Sequence, residues 1–211
     1  MIAMRRYSSG RAAGGRALFV CLWALLLGAC ATLPQPSAPD GAPARAELEF
    51  FTLEARFALR HDERSYSGLL SWRHLPARDE MFLASPLGQG MAEIVSDADG
   101  ARLKGSDGKV HVAADVAALT EQVLGFPLPL ERLSAWVLGR SGGPGRLLAD
   151  AQGRPSSLAE DGWLIGYEYA DDNPQALPIR LLVERPGTLE LRLRIDEWGQ
   201  GRAQARGRGD E

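Results

Sequence analysis

The chain has 211 residues, with 24 basic and 27 acidic side chains and a formal charge of −3; hydrophobic residues make up 45% of it. That length suits one ordinary domain with a sizeable core, and the acidic balance argues against a nucleic-acid partner. Two cysteines, and three histidines without a metal-ligand partner at a usable spacing, leave no disulfide framework and no thiolate metal site.

Residues 1–29 read as a secretory signal peptide. Arg5, Arg6, Arg11 and Arg16, with no acidic residue among them, precede the apolar run Ala17–Ala29, which is too short to span about 30 Å of hydrocarbon comfortably. Met1 and Met4 are both available as the first residue. The run ends in Leu27-Gly28-Ala29-Cys30, which resembles the lipobox of bacterial lipoproteins. That resemblance implies cleavage before Cys30 and lipid on its thiol; an ordinary cleaved signal and a transmembrane anchor are the alternatives. Removing residues 1–29 leaves 182 residues, with 20 basic side chains against 27 acidic ones and a charge of −7. Cys21 leaves with the signal, so Cys30 is the one mature cysteine. The charge argues against a basic patch docked on anionic headgroups.

Residues 30–46 form a lipidated linker. From Ala31 onward, proline and small residues cannot bury enough surface to offset ordering entropy, and the segment reads as a leash reaching on the order of 50 Å. A helix is expected over Ala46–Leu53. Period-two alternation then dominates the domain, residues 47–198. Phe57 and Leu59 lie in one strand, and Tyr66, Leu70 and Trp72 in the next. Met81–Ala84, Met91–Ser96, Arg102–Lys104 and Lys109–Val112 follow, separated by Asp-Gly turns.

Asp115 is a suitable N-cap for a helix Val116–Leu124, with Val116, Leu119 and Val123 on one face and Gly125 at its stop. Pro129 opens a second helix carrying Leu130, Leu133, Trp136 and Val137, closed by Gly139. The strand pattern resumes with Trp163, Ile165, Tyr167 and Tyr169, then Ile179–Glu184, the turn Pro186-Gly187, and Thr188–Glu197. In this last strand Leu189, Leu191, Leu193 and Ile195 oppose Glu190, Arg192, Arg194 and Asp196. Residues 199–211 read as a disordered tail. About ten strands and a few short helices predict an α+β domain: a curved antiparallel sheet with helices over one opening.

No motif assembles into a catalytic site, and no enzyme and no cofactor are expected. Gly139-Arg140-Ser141-Gly142-Gly143 has nucleophile-elbow spacing, but a helix precedes it where a strand is needed, and the run reads as a flexible loop. His61, His74 and His111 read as solvated surface histidines. Asp171-Asp172-Asn173-Pro174 reads as a turn.

The domain resembles the LolB family of outer-membrane lipoprotein receptors. The resemblance rests on Ala55-Arg56-Phe57-Ala58, Leu70-Ser71-Trp72, Phe82-Leu83-Ala84-Ser85-Pro86-Leu87-Gly88, and Leu124-Gly125-Phe126-Pro127-Leu128-Pro129-Leu130. Leu133-Ser134-Ala135-Trp136-Val137-Leu138-Gly139, Gly162-Trp163-Leu164-Ile165-Gly166-Tyr167 and Ile195-Asp196-Glu197-Trp198 extend it. It implies an incomplete antiparallel β-barrel of ten or eleven strands, with a short-helix lid over an apolar cavity. It further implies a monomer in the outer membrane, held at the periplasmic face through Cys30. Such a receptor accepts the acyl chains of client lipoproteins from a LolA-type periplasmic carrier and inserts the clients into outer-membrane lipid, with no nucleic acid involved. Trp72, Phe82, Leu133, Trp136, Trp163, Ile165 and Tyr167 are the residues expected at the acyl-chain cavity. Leu87 matches a family leucine that acts in membrane insertion from a protruding loop. The rival reading is a lipid-anchored scaffold or envelope-assembly factor that binds no acyl chain.

Overall fold

The computed structural model describes residues 48–199; the signal segment, Cys30, the linker of residues 30–46 and residues 200–211 lie outside the described residues. Among these residues, eleven strands run in chain order: β1 (Phe51–His61), β2 (Arg64–Leu75), β3 (Arg78–Ala84), β4 (Gly90–Asp97), β5 (Gly100–Gly105) and β6 (Val110–Ala113), then β7 (Gly145–Ala149), β8 (Pro155–Glu160), β9 (Trp163–Glu168), β10 (Arg180–Arg185) and β11 (Leu189–Gly199). Two helices, α1 (Val116–Leu124) and α2 (Leu130–Val137), separate β6 from β7.

The strands form one antiparallel sheet ordered β6-β5-β4-β3-β2-β1-β11-β10-β9-β8-β7. Each half is a meander, and β1 against β11 joins them, from Thr52↔Gly199 to His61↔Leu189. The sheet stays open, with β6 and β7 as its free edges. Alternation decides which side packs. Phe51, Leu53, Ala55 and Leu59 are buried from β1, and Leu189, Leu191, Leu193 and Ile195 from β11, while Arg192 and Arg194 face solvent. Each large apolar side chain taken from water contributes about 1.5–3 kcal/mol.

Several expectations need correction. The helix over Ala46–Leu53 does not form at its described end: Leu48–Phe50 are irregular and Phe51–Leu53 belong to β1. Pairing of Leu53 with both Trp72 and Trp198 outweighs the local helical pattern. β7 and β8 were not foreseen. Gly199, assigned to the tail, closes β11 opposite Thr52. Val123 is exposed, and Thr120 takes the buried place on α1.

Candidate functional site

The helices and the sheet meet along an apolar seam. Asp115 Oδ1 accepts from the Ala118 amide at 2.7 Å and starts α1; Gly125, at φ +89°, ends it. Arg64 donates to the Leu124 carbonyl at 2.8 Å, placing a cation at the helix C-terminus. The Thr120 hydroxyl, buried, accepts from the Leu128 amide at 2.8 Å and donates back to the Val116 carbonyl at 2.9 Å. It thereby ties α1 to the Pro127–Pro129 link. Phe126, just before that link, stacks on His61 with ring centroids 3.9 Å apart.

α2 lays Leu133, Trp136 and Val137 onto the sheet. Trp136 meets Trp163 of β9 at 5.7 Å between centroids. Leu128, Leu133, Trp136, Trp163, Val183 and Leu191 border a space of about 10 Å³. That is room for about one water. At this point of the seam side chains from α2 and from β9–β11 fill the space between them, and the open apolar cavity expected over the sheet is not shown here.

The expected cavity residues divide accordingly. Leu133, Trp136 and Trp163 line the seam, and Ile165 and Tyr167 are buried from the same strand face of β9. Trp72 is buried on β2 against Phe51, at 5.1 Å between centroids, and donates its Nε1–H to Asp79 at 2.7 Å. Phe82 points the other way, with Ser71 and Glu93 as its cross-strand neighbours on the outer face. Within Met81-Phe82-Leu83 it is Met81 that is buried.

Sequence reasoning missed the polar tie beneath α2. Glu160 ends β8 with its carboxylate buried. It accepts from Trp136 Nε1 at 3.3 Å, Ser141 Oγ at 2.8 Å and the Gly142 amide at 2.9 Å. Arg132 of α2 stands 3.7 Å from its other oxygen and 2.9 Å from Asp161. A helix, the loop after it and a hairpin thus converge on one carboxylate. Reading β8 as a strand would have found it, since Glu160 shares the face of buried Leu158. Ser141 follows a helix and precedes β7, the reverse of a nucleophile elbow, and is held by this carboxylate and the Gly143 carbonyl.

The histidines also differ from expectation. His61 is largely covered by Phe126, and His74 stacks on Phe51 at 4.9 Å while pairing with Asp79 at 2.7 Å. Asp171–Asn173 is the expected turn, with the Asn173 amide on Asp171 Oδ1 at 2.9 Å. Among the described residues, no group of three or more His, Cys, Asp or Glu could hold a metal.

A second feature lies on the turn between β3 and β4. Ser85 N–H donates to the Gln89 carbonyl at 2.7 Å and Gly88 N–H to the Ser85 carbonyl at 2.8 Å. Gly88 sits at φ +84°, where a side chain would be strained. This closed turn holds Leu87 90% exposed. An ordered turn that presents a bare leucine is a contact in waiting.

Among the described residues, an open antiparallel sheet and two short helices meet along an apolar seam, and this is the class of fold the chain presents. The family model described as outer membrane lipoprotein LolB matches residues 49–198. The outer-membrane lipoprotein LolB of Dechloromonas aromatica (strain RCB) is 44% identical over 178 residues, covering 82% of this chain and 92% of that protein. The LolB of Azoarcus sp. (strain BH72) is 38% identical over 185 residues, covering 86% and 94%. A crystal structure of a LolA superfamily protein from Nitrosomonas europaea aligns with a TM-score of 0.43 at 9% identity, over 74% of this chain and 88% of that one. The chain belongs to the LolB family of outer-membrane lipoproteins.

Proposed function

We propose that this protein is an outer-membrane lipoprotein receptor that takes acyl chains beneath α1 and α2 and hands their owners to the bilayer. The observation that carries the reading is the seam: every side chain bordering it is apolar, while the contacts that hold its roof are polar and breakable. Lifting α2 exposes Leu133, Trp136 and Trp163 as a bed for methylene groups, each worth about 0.8 kcal/mol on leaving water. Ile165, Tyr167 and Trp72 continue the apolar face along the sheet. In this reading Cys30 carries the lipid anchor, the domain works as a monomer on the periplasmic side, and a LolA-type carrier brings the cargo. Leu87 is the residue that enters the bilayer when cargo is released.

The test is a two-step transfer with a radiolabelled lipoprotein, first from carrier to this protein and then from this protein to vesicles. Leu87→Glu should leave the first step near normal and reduce the second about tenfold or more, since a leucine contributes about 1.5–3 kcal/mol on insertion. Tryptophan emission should shift when an acylated peptide binds, because Trp136 and Trp163 border the bed. A chain that takes no lipoprotein from the carrier would be the scaffold of the rival reading. A Leu87→Glu variant that fails at acceptance would place Leu87 at the cargo site instead.

A further inference from the structure

Beyond the seam and the Leu87 tip, an apolar surface lies on the outer face of β2–β4. Phe82 is 43% exposed, Met91 41% and Leu69 37%. All three lie at the end of β2, β3 and β4 nearest the Leu87 turn. Phe82 stands opposite Ser71 and Glu93, and Leu69 opposite Ala84, so Leu69 and Phe82 are diagonal neighbours on the outer face. The register shift at Leu83/Ala84 pairs Ala84 with Gly90 and leaves Met91, two residues before outward-facing Glu93, as the extra residue of a bulge. The Phe82 ring lies over Gly90, where an added Cβ would stand 3.1 Å from Cζ. The patch stops at Glu93 and Lys104, which face each other across β4 and β5.

The path of the chain says what this surface meets. The described chain begins at Leu48, next to β1, whose first residue Phe51 pairs with His74; His74 in turn pairs with Asp79 near the start of β3. Ala84 lies five residues further along β3, about 17 Å away, and Leu87 lies beyond it. The segment leading to the anchor therefore joins the domain at the end opposite Leu87. Seventeen residues lie between Cys30 and Leu48, eighteen Cα-to-Cα steps. Stretched, they reach on the order of 60 Å, enough for a domain anchored at residue 30 to stand with its Leu87 end on the membrane. A lipid surface accepts scattered apolar side chains without needing a complementary shape.

We infer that Leu69, Phe82 and Met91 form, with Leu87, a membrane-docking foot whose partner is the phospholipid bilayer. The inference rests on the reading of Leu87 given above and extends it from one residue to a face. Leu87 penetrates, and the outer face of β2–β4 lies down behind it and fixes the tilt of the domain at release.

The full acylated chain, reconstituted in phosphatidylethanolamine–phosphatidylglycerol vesicles with and without brominated acyl chains, tests this. Phe82→Trp and Leu87→Trp should each lose emission in the brominated vesicles, whereas the unaltered chain should not, with Trp72, Trp136 and Trp163 buried and the half-buried Trp198 paired with Leu53 at the end away from Leu87. Quenching of Leu87→Trp alone would overturn the foot and leave the leucine's contact standing. Quenching of neither would overturn both. In the transfer assay, Phe82→Ser combined with Met91→Ser should slow delivery about fivefold and leave acceptance unchanged. A loss confined to acceptance would assign the patch to the carrier protein and refute the lipid assignment.

Discussion

Removing the Glu160 carboxylate should loosen the roof of the seam more than any exposed ion pair could. In Glu160→Ala the Trp136 indole N–H and the Gly142 amide lose their acceptor, while Ser141 keeps the Gly143 carbonyl and Arg132 keeps Asp161. Stranding the buried Trp136 indole N–H costs about 1–3 kcal/mol and the more exposed Gly142 amide adds less, for a loss of about 1–4 kcal/mol. For a domain of this size that lowers Tm by about 2–16 °C. Glu160→Gln keeps an acceptor oxygen and loses only the charge, for about 1 kcal/mol and a Tm change of about 2–4 °C. Calorimetry and urea melts of the mature chain would measure both. Hydrogen exchange supplies the local readout: the α2 amides should exchange about fivefold faster in Glu160→Gln, with the β1 and β11 amides unchanged. If Glu160→Ala stays within about 0.5 kcal/mol of wild type, water already reaches these donors and the carboxylate is not the tie described here.

Two further perturbations probe the frame of the site. Thr120→Val preserves shape but strands the buried Leu128 amide, and should cost about 1–3 kcal/mol in a denaturant melt, whereas Thr120→Ser should stay near wild type. At Asp150, burial works against the charged form, but the Arg154 amide, its guanidinium and the Gln152 amide outweigh it and hold the carboxyl below its ordinary value of 3.8. Its stabilising contribution is therefore complete above pH 3.8 and lost as pH falls through the lower native value. The Tm gap between wild type and Asp150→Asn should stay constant from neutral pH down to about pH 5 and close in stronger acid; a constant gap throughout would show that the charge plays no part.

What could be read from the sequence follows from which side chains are forced to take sides. β11 alternates leucine or isoleucine with charge, and β9 alternates Trp163, Ile165 and Tyr167 with Leu164, Gly166 and Glu168, so their inner faces can be read from the sequence. Asp115 and Gly125 bracket α1 because an N-cap acceptor and a left-handed stop are local chemistry. β7 was invisible for the opposite reason. It is an exposed edge, so Gly-Arg-Leu-Leu-Ala carries no burial alternation, and β8 begins with a proline. Phe82 sits in the unbroken apolar run Met81-Phe82-Leu83, which offers no period, and only register shows that it faces out. Glu160 resisted reading because a buried carboxylate is defined by donors far along the chain. Whether the apolar interior is empty or filled depends on how deeply α2 seats against β9–β11, a matter of a few ångströms that composition does not record.

The filled seam bears on how transfer can run downhill without nucleotide. An acyl chain of about fifteen methylenes gains on the order of 12 kcal/mol on leaving water. It leaves one apolar pocket for another, however, and that gain largely cancels. What remains is the difference in the cost of opening each pocket. On the proposed reading that cost is set here by Thr120 on Leu128, by Arg132 on Asp161, and by Glu160 under Trp136. Each contact is worth about 0.5–3 kcal/mol, and 1.4 kcal/mol is tenfold in an equilibrium. Such ties have the right size to place a receptor between a carrier and a bilayer. A stiffer roof would refuse cargo, and a looser one would keep it. On that argument the softened roof of Glu160→Gln raises acceptance and slows delivery together. An effect on stability without this opposed pair would separate the tie from transport.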